Sequence, residues 1–581
     1  MTGDARFQAL GAFSVLLTNV FRAKRLPLGW CRRRRLTALA VALLLSSPAT
    51  GNERDVLTIG ITQFPSTLNP NIDAMAAKSY VLGMALRPFT VYDATWRLVC
   101  LLCVTLPSIE NGLAVPVDLA DGKKGIDITY SIRPEAKWGD GVPVTTADVL
   151  FTYEVGRNPQ SAVGNAELYR RITSIDVKDD KTFTLHVDKL TFDYAAIDDF
   201  VLLPEHVERA AFADPAQYRV RTHYNTEPIN PGLYNGPYRV SEVAAGSHLL
   251  LEPNPHWAGP PGHFRRITVR AIENTSALEA NLLSGTIDMV AGELGLSLDE
   301  GLAFEKRHGD AFHMIYQPGL VYEHIDLNLD RPALADRRVR EALILGLDRE
   351  AITNSLFAGR QKVADSLVNP LDAGYSAEVP RYRYDPARAA TLLDAAGWQA
   401  QSDGIRRNAV GQTLSLELMT TAGNRTRELV EQVLQSQWRR TGVDIAIKNE
   451  PARVLFGETM PHRRFDMAMY AWISAPENVP RSILYSSEVP DEANGFAGQN
   501  AAGFKSAEMD RLIDAIEVEL DRGKRQAIWT EIQRLYATEL PSLPLYFRSD
   551  VFILPKWLSG VRPTGNQYPT TLWITDWAAQ P

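Results

Sequence analysis

Residues 125–156 read GIDITYSIRPEAKWGDGVPVTTADVLFTYEVG, a strand, a turn and a helix with each boundary marked. Ile126, Ile128, Tyr130 and Ile132 alternate with Asp127, Thr129, Ser131 and Arg133, the period-two pattern of a strand with one buried face. Pro134 has no N–H for a sheet ladder and ends the strand. Gly139, Asp140 and Gly141 tolerate left-handed backbone angles, and Pro143 stiffens the exit from the turn. Thr145 followed by Asp148 is a variant capping box for a new helix, expected to bury Ala147, Leu150 and Phe151. Trp138 and Asp140 read as scaffold that fixes the turn, not as ligand contacts.

The same signals continue along the chain. Val56 to Ile61 is a strand, and Ile175 to Val187 is a hairpin turning at Asp179-Asp180-Lys181. Asn235-Gly236-Pro237 feeds a strand from Tyr238, and Ile267, Val269 and Ala271 alternate as another. A helix from Leu278 to Leu283 stops at Gly285 and returns to a strand at Ile287–Val290, so strands and helices alternate. Asp336 to Leu345 and Asp348 to Phe357 read as two helices joined by Gly346-Leu347, and Asp385-Pro386 places a cap and a first-turn proline before a third. Leu414–Leu418, a helix from Arg427 to Arg440, and Val443–Ile447 make a β-α-β unit. Helices follow at 506–519 and 523–538, and Leu545–Phe547 and Val551–Ile553 close the chain as strands. The architecture is therefore α/β.

Composition excludes several functions. Arg32–Arg35, the apolar run Leu36–Leu45 and the small residues up to Gly51 have the order of a secretory leader, 1–51, too short to span a bilayer. Cys31 precedes the apolar core, so no lipid-anchoring cysteine follows it. Cleavage near Gly51 leaves 53 basic and 68 acidic residues, a charge of about −15, which speaks against nucleic acid as a partner. Cys100 and Cys103 remain; in an oxidising compartment a local disulfide is the simplest reading, with reduced thiols or redox work as alternatives. No His-Glu-x-x-His, Gly-x-Ser-x-Gly or phosphate-loop motif occurs, and no metal or cofactor is expected.

The quoted stretch resembles the segment typical of family 5 solute-binding proteins of ABC importers, the peptide- and nickel-binding group. The match runs through Tyr130, Arg133, Lys137, Trp138, Asp140, Gly141, Pro143, Thr145, Asp148, Val149 and Phe151. Three further phrases resemble the family in order: the opening strand leading to Leu68-Asn69-Pro70, Asn235–Val240 with Asn254–Trp257, and the helix pair from Asp336 to Ile352. The resemblance covers essentially the whole exported chain. It implies a type II periplasmic binding protein fold of two lobes, with an additional small mainly-β domain inserted in the first. By analogy, 52–90, 205–314 and 537–581 form lobe I, 91–204 the insert and 315–536 lobe II. It also implies a monomeric periplasmic protein that captures a peptide or peptide-like solute in the inter-lobe cleft and hands it to an inner-membrane permease. An oligosaccharide, an opine-like conjugate or a metal complex is the alternative within the class; an exported hydrolase or a redox protein is the alternative outside it.

The resemblance carries the candidate ligand contacts. The opening loop supplies Gln63 and Phe64, and the start of the second lobe supplies Tyr322 and His324, with alternation along 321–326 turning one set of side chains to the cleft. Asn424 sits at a strand-to-helix turn, where it either reaches ligand or caps the helix. Trp472 ends a strand from Phe465 and leads into the ligand loop with Ser474, Ala475 and Glu477. Peptide binders of the family commonly carry aspartate where Ala475 stands, as counter-charge for a peptide amine, and Glu477 is the candidate substitute.

Overall fold

The computed structural model describes residues 54–580 except 73, 74, 121, 493–495 and 497. The expected leader, 1–51, and Cys31 lie outside the described residues. Val56–Ile61 forms β1, with Leu57, Ile59 and Ile61 fully buried. Ala76–Ala85, α1, is buried on nearly all sides and starts at Met75, whose side chain caps nothing. Cys100 and Cys103 are joined in a disulfide, Cα to Cα 5.2 Å.

Ala114–Asp118 (β2), Lys124–Ser131 (β3), Ile172–Val177 (β4) and Thr182–Val187 (β5) form a four-stranded antiparallel sheet in the order β2-β3-β5-β4. Between β3 and β4 lie Thr146–Arg157 (α2) and Ala166–Arg171 (α3). The chain turns into α2 at Gly141, whose φ of +94° is glycine's own region. The capping box forms: Asp148 Oδ2 accepts from Thr145 N at 2.9 Å, and Thr145 Oγ1 accepts from Ala147 N at 3.3 Å. The buried face differs from the expected one. Ala147 is exposed and Leu150 is 42% exposed, while Val149, Phe151, Thr152 and Val155 turn inward. The reason is Asp148 itself, which also accepts from Trp138 Nε1 at 3.2 Å and Glu205 N at 2.8 Å. Bringing that carboxylate inside rotates Leu150 out. Trp138 is buried and Asp140 accepts from Val142 N at 3.0 Å, so both act as scaffold.

Tyr238–Ala244 (β6), His248–Pro253 (β7), Arg266–Ala271 (β8) and Met289–Val290 (β9) follow, with Thr275–Leu283 (α4) between β8 and β9 and Leu298–His308 (α5) after them. Phe312–Leu327 is β10. Arg337–Leu345 (α6), Arg349–Phe357 (α7) and Pro386–Ala395 (α8) start on side-chain caps from Asp336, Asp348 and Asp385. Ser415–Met419 (β11), Arg425–Thr441 (α9) and Asp444–Ile447 (β12) are the β-α-β unit, its strands parallel. Met467–Ile473 is β13, Ala507–Val518 and Arg522–Glu539 are α10 and α11, and Ser542–Pro555 is β14.

These strands make one eleven-stranded sheet in the order β12-β11-β13-β10-β14-β9-β1-β8-β7-β6, with Lys362–Val363 paired to β14 off that path. β10 and β14 are its long central pair, and their register breaks between Pro318 and Tyr322. The buried apolar side chains sort about that break. One core gathers residues from Leu57 to Leu294 with Phe552–Trp577, and another gathers Leu298 to Tyr546. At the break the backbone of Leu320 bonds Gly565 O at 2.9 Å. Gly565 has a φ of +71°, and a Cβ there would collide with Pro318 O.

Candidate functional site

The expected contacts fall in different places. Gln63 is exposed in the loop after β1, and Phe64 packs half-buried on the first core. Tyr322 and His324 are buried: the Tyr322 hydroxyl lies 2.9 Å from that of Tyr536, and its ring stacks on His324 at 4.9 Å. His324 Nε2 is 3.3 Å from Asp326 Oδ1, and Asp326 accepts from Tyr470 and Ser542 at 2.6 Å each. Burial pushes the Asp326 carboxyl up, but hydrogen bonds from His324, Ser542 and Tyr470 outweigh it and hold it below the usual range. This face of β10 is a closed polar network with protein partners throughout.

The other face of β10 holds a group that sequence reasoning missed. Glu323 is fully buried, with Arg427 Nε at 2.6 Å and Arg548 Nη2 at 2.6 Å. Both sets of alternating side chains are thus covered. Asn424 accepts from Arg427 N at 3.1 Å and caps α9. Trp472 is the register partner of Tyr322 and packs, half-buried, between a cluster containing Met419 and Tyr470 and another of Tyr322, Ala364 and Phe547.

The loop beyond β13 reaches a cavity. Ala475 and Glu477 line a chamber of about 510 Å³, whose other walls are the face of β3 and β5 with Ile126, Ile128 and Leu185, the segment 189–199, and Tyr92. Ser474 and Glu477, with Asn369, Asp372 and Trp529, line a void of about 20 Å³, room for about one water molecule. Glu477 has a φ of +54°; its N–H donates to Asp372 Oδ2 at 2.8 Å, and its Oε1 lies 3.7 Å from Arg525 Nη2. A non-glycine residue in that region persists only where its surroundings hold it.

The chamber is negative. Glu167, Asp193, Asp198, Asp199, Glu477 and Glu517 line it against Arg171 and Lys189. Burial, then the neighbouring Asp199, pushes Asp198 up to about 6, and burial pushes Asp372 up to about 6 against the N–H groups of Glu477 and Gly374. Burial and the charges of Glu477, Asp193 and Asp198 raise Tyr92, which stays neutral. An apolar sheet wall facing carboxylates suits a cationic group carried on an apolar body. Among the described residues no group of three or more His, Cys, Asp or Glu side chains is placed to hold a metal ion.

Residues 111–491 match the family described as bacterial extracellular solute-binding proteins, family 5, middle part. The chain belongs to this family. The oligopeptide-binding protein AppA of Bacillus subtilis is 25% identical over 498 residues, 84% of this chain and 88% of the relative. The nickel-binding periplasmic protein of Escherichia coli is 23% identical over 519 residues, 89% of this chain and 93% of the relative. The oligopeptide-binding protein of Thermus thermophilus, solved with a pentapeptide, matches with a TM-score of 0.69 at 28% identity over 90% of this chain and 96% of that one. This family 5 protein is accordingly a solute-binding component of a peptide- or nickel-type ABC importer and not an enzyme, with the type II periplasmic binding fold that the sequence implied. Among its described residues no helix is long and apolar enough to cross a membrane.

Proposed function

We propose that this protein is exported to the periplasm, captures a peptide or peptide-like solute between its lobes as a monomer, and delivers it to an inner-membrane permease. The lobes are taken as 52–90, 205–314 and 537–581 against 315–536, with 91–204 as the insert. The observation that carries the reading is the chamber beside the loop Ser474–Glu477, whose walls come from the insert, 91–204, and from the 315–536 lobe, with Gln567 from the first lobe. Its carboxylates surround the position where peptide binders of the family carry a counter-charge, and Glu477 supplies that charge two residues beyond Ala475. Trp472, at the head of the loop, serves as a wall for an apolar side chain. Tyr322, His324, Asn424, Gln63 and Phe64 do not line this chamber. The relatives named for oligopeptides support a peptide, and the relative named for nickel makes a metal complex the competing cargo.

Native mass spectrometry of protein purified from its own periplasm tests this. A co-purified peptide mass is expected. A nickel chelate or a saccharide in its place overturns the peptide reading, and recovery of a chemically altered solute overturns the binder.

A further inference from the structure

Two walls of the chamber belong to separately packed cores. Leu190 and Ile197, in the insert, pack in the core that runs from Leu57 to Leu294, whereas Ile513 and Ile516 of α10 pack in a different cluster with Trp529 and Tyr536 of α11. Residues 189–192 and the end of α10 meet across that division. Phe192 N donates to Glu517 O at 2.9 Å, a carbonyl in the last turn of α10, where a helix has no donors of its own to offer. Lys189 Nζ lies 2.6 Å from Glu517 Oε2, so a cation stands at the negative end of the helix. Arg481 Nε, 2.5 Å from Glu517 Oε1, holds that carboxylate from its own side of the division. The Arg525 guanidinium lies 4.5 Å from the centre of the Phe192 ring, a cation–π contact, and donates to the carbonyls of Glu519 and Leu520 at 3.0 and 3.3 Å. Burial pushes the Glu517 carboxyl up, but the hydrogen bonds from Arg481 and Lys189 outweigh it and hold it below the usual range.

We propose that this contact is a latch: residues 189–192 of the insert clasp the C-terminal end of α10 and hold the molecule closed before any solute is bound. The inference uses the lobe division of the proposed function and not its cargo. Lys189, Phe192 and Glu517 also line the chamber, so the latch is one of its walls and parts when the two sides separate. Every contact in it comes from the protein, so it favours the closed arrangement with or without solute. The solute-free protein is then divided between open and latched forms. A solute that binds the closed form meets a state already populated, and its apparent affinity rises with that population.

Distance measurement by paired spin labels on the exported chain without solute tests this, with one label on Val115→Cys in the insert and the other on Lys524→Cys at the start of α11, both exposed positions. The parent is expected to show a short and a long distance. Lys189→Glu sets a carboxylate against Glu517, and the ratio of short to long should fall at least about fivefold. Lys189→Arg, which keeps the cation, should keep the ratio, and high salt should shift the parent in the direction of Lys189→Glu. If Lys189→Glu fails to fold, Lys189→Met carries the test with a fall of about twofold. Only the long distance in the parent overturns the latch, as does an unchanged ratio in Lys189→Glu or, where that variant does not fold, in Lys189→Met. A fall in Lys189→Arg equal to that in Lys189→Glu overturns it too, since the charge is then not what holds the contact. No solute enters the measurement, so each of these outcomes leaves the proposed function standing.

Discussion

Asp148 shows how one side chain sets a local fold. It closes the capping box, takes the Trp138 indole and binds the backbone at Glu205, while burial pushes its carboxyl up against these bonds. Asp148→Ala would strand three donors, one a helix cap, and should cost about 2–4 kcal/mol, seen as a lower urea midpoint with an unchanged slope. The acidic residues near the cleft loop behave differently. Asp198 and Asp372 are raised from an ordinary 3.8 to about 6, so between pH 4 and 6 the folded state holds more protons than the unfolded one. Their contribution to stability therefore grows as pH falls through 6 and is lost as pH rises through it. Binding of a cationic probe moves the other way, since protonation removes its counter-charge. From pH 7 to pH 5 affinity should fall on the order of tenfold, about 1.4 kcal/mol. The double variant Asp198→Asn, Asp372→Asn should flatten both dependences; an equally steep binding profile in that variant would assign the effect to other groups.

Among the elements, those announced by local chemistry were legible and those made by distant partners were not. Thr145, Asp336, Asp348 and Asp385 each cap the helix that follows them, because a cap acts within a few residues. α1 offers no such sign, since Met75 caps nothing and the helix is covered almost all round; a helix without a polar face has no amphipathic period to read. The loop of Ser474, Ala475 and Glu477 was named through the family resemblance, whereas the chamber's walls run from Tyr92 to Gln567 and carry no shared local pattern. Glu323 was invisible for the same reason, its ion-pair partners being Arg427 on α9 and Arg548 on β14. Glu323→Gln leaves two guanidinium groups without their charge and should cost about 3–5 kcal/mol, read by chemical denaturation. Trp472→Ala separates wall from core at the end of β13. A fully buried tryptophan costs about 3–5 kcal/mol on truncation, and the half-buried Trp472 should cost less while weakening solute binding. A full core penalty with unchanged affinity would assign Trp472 to packing alone.

For the whole molecule, the feature that bears on transport is the pair of long central strands, β10 and β14. They are continuous in chain, yet their register breaks between Pro318 and Tyr322, and the two large apolar cores meet this pair on opposite sides of the break. A packed core resists bending, whereas a stretch without regular ladder pairing can absorb a change in φ and ψ at a few residues. Gly319 and Gly565 lie at that point, with Leu320 tied to Gly565 O. Motion of one lobe against the other should therefore concentrate at 318–321 and at the facing residues of β14. A solute that touches both lobes stabilises the closed arrangement by the contacts it makes only there. Small-angle scattering of the exported chain, with and without a solute shown to bind, is expected to give a smaller radius of gyration in the complex. Gly565→Ala, which forces a side chain against Pro318 O, should disturb the crossing and reduce that change. An unchanged radius at saturating solute in the parent protein would count against closure about this pair of strands.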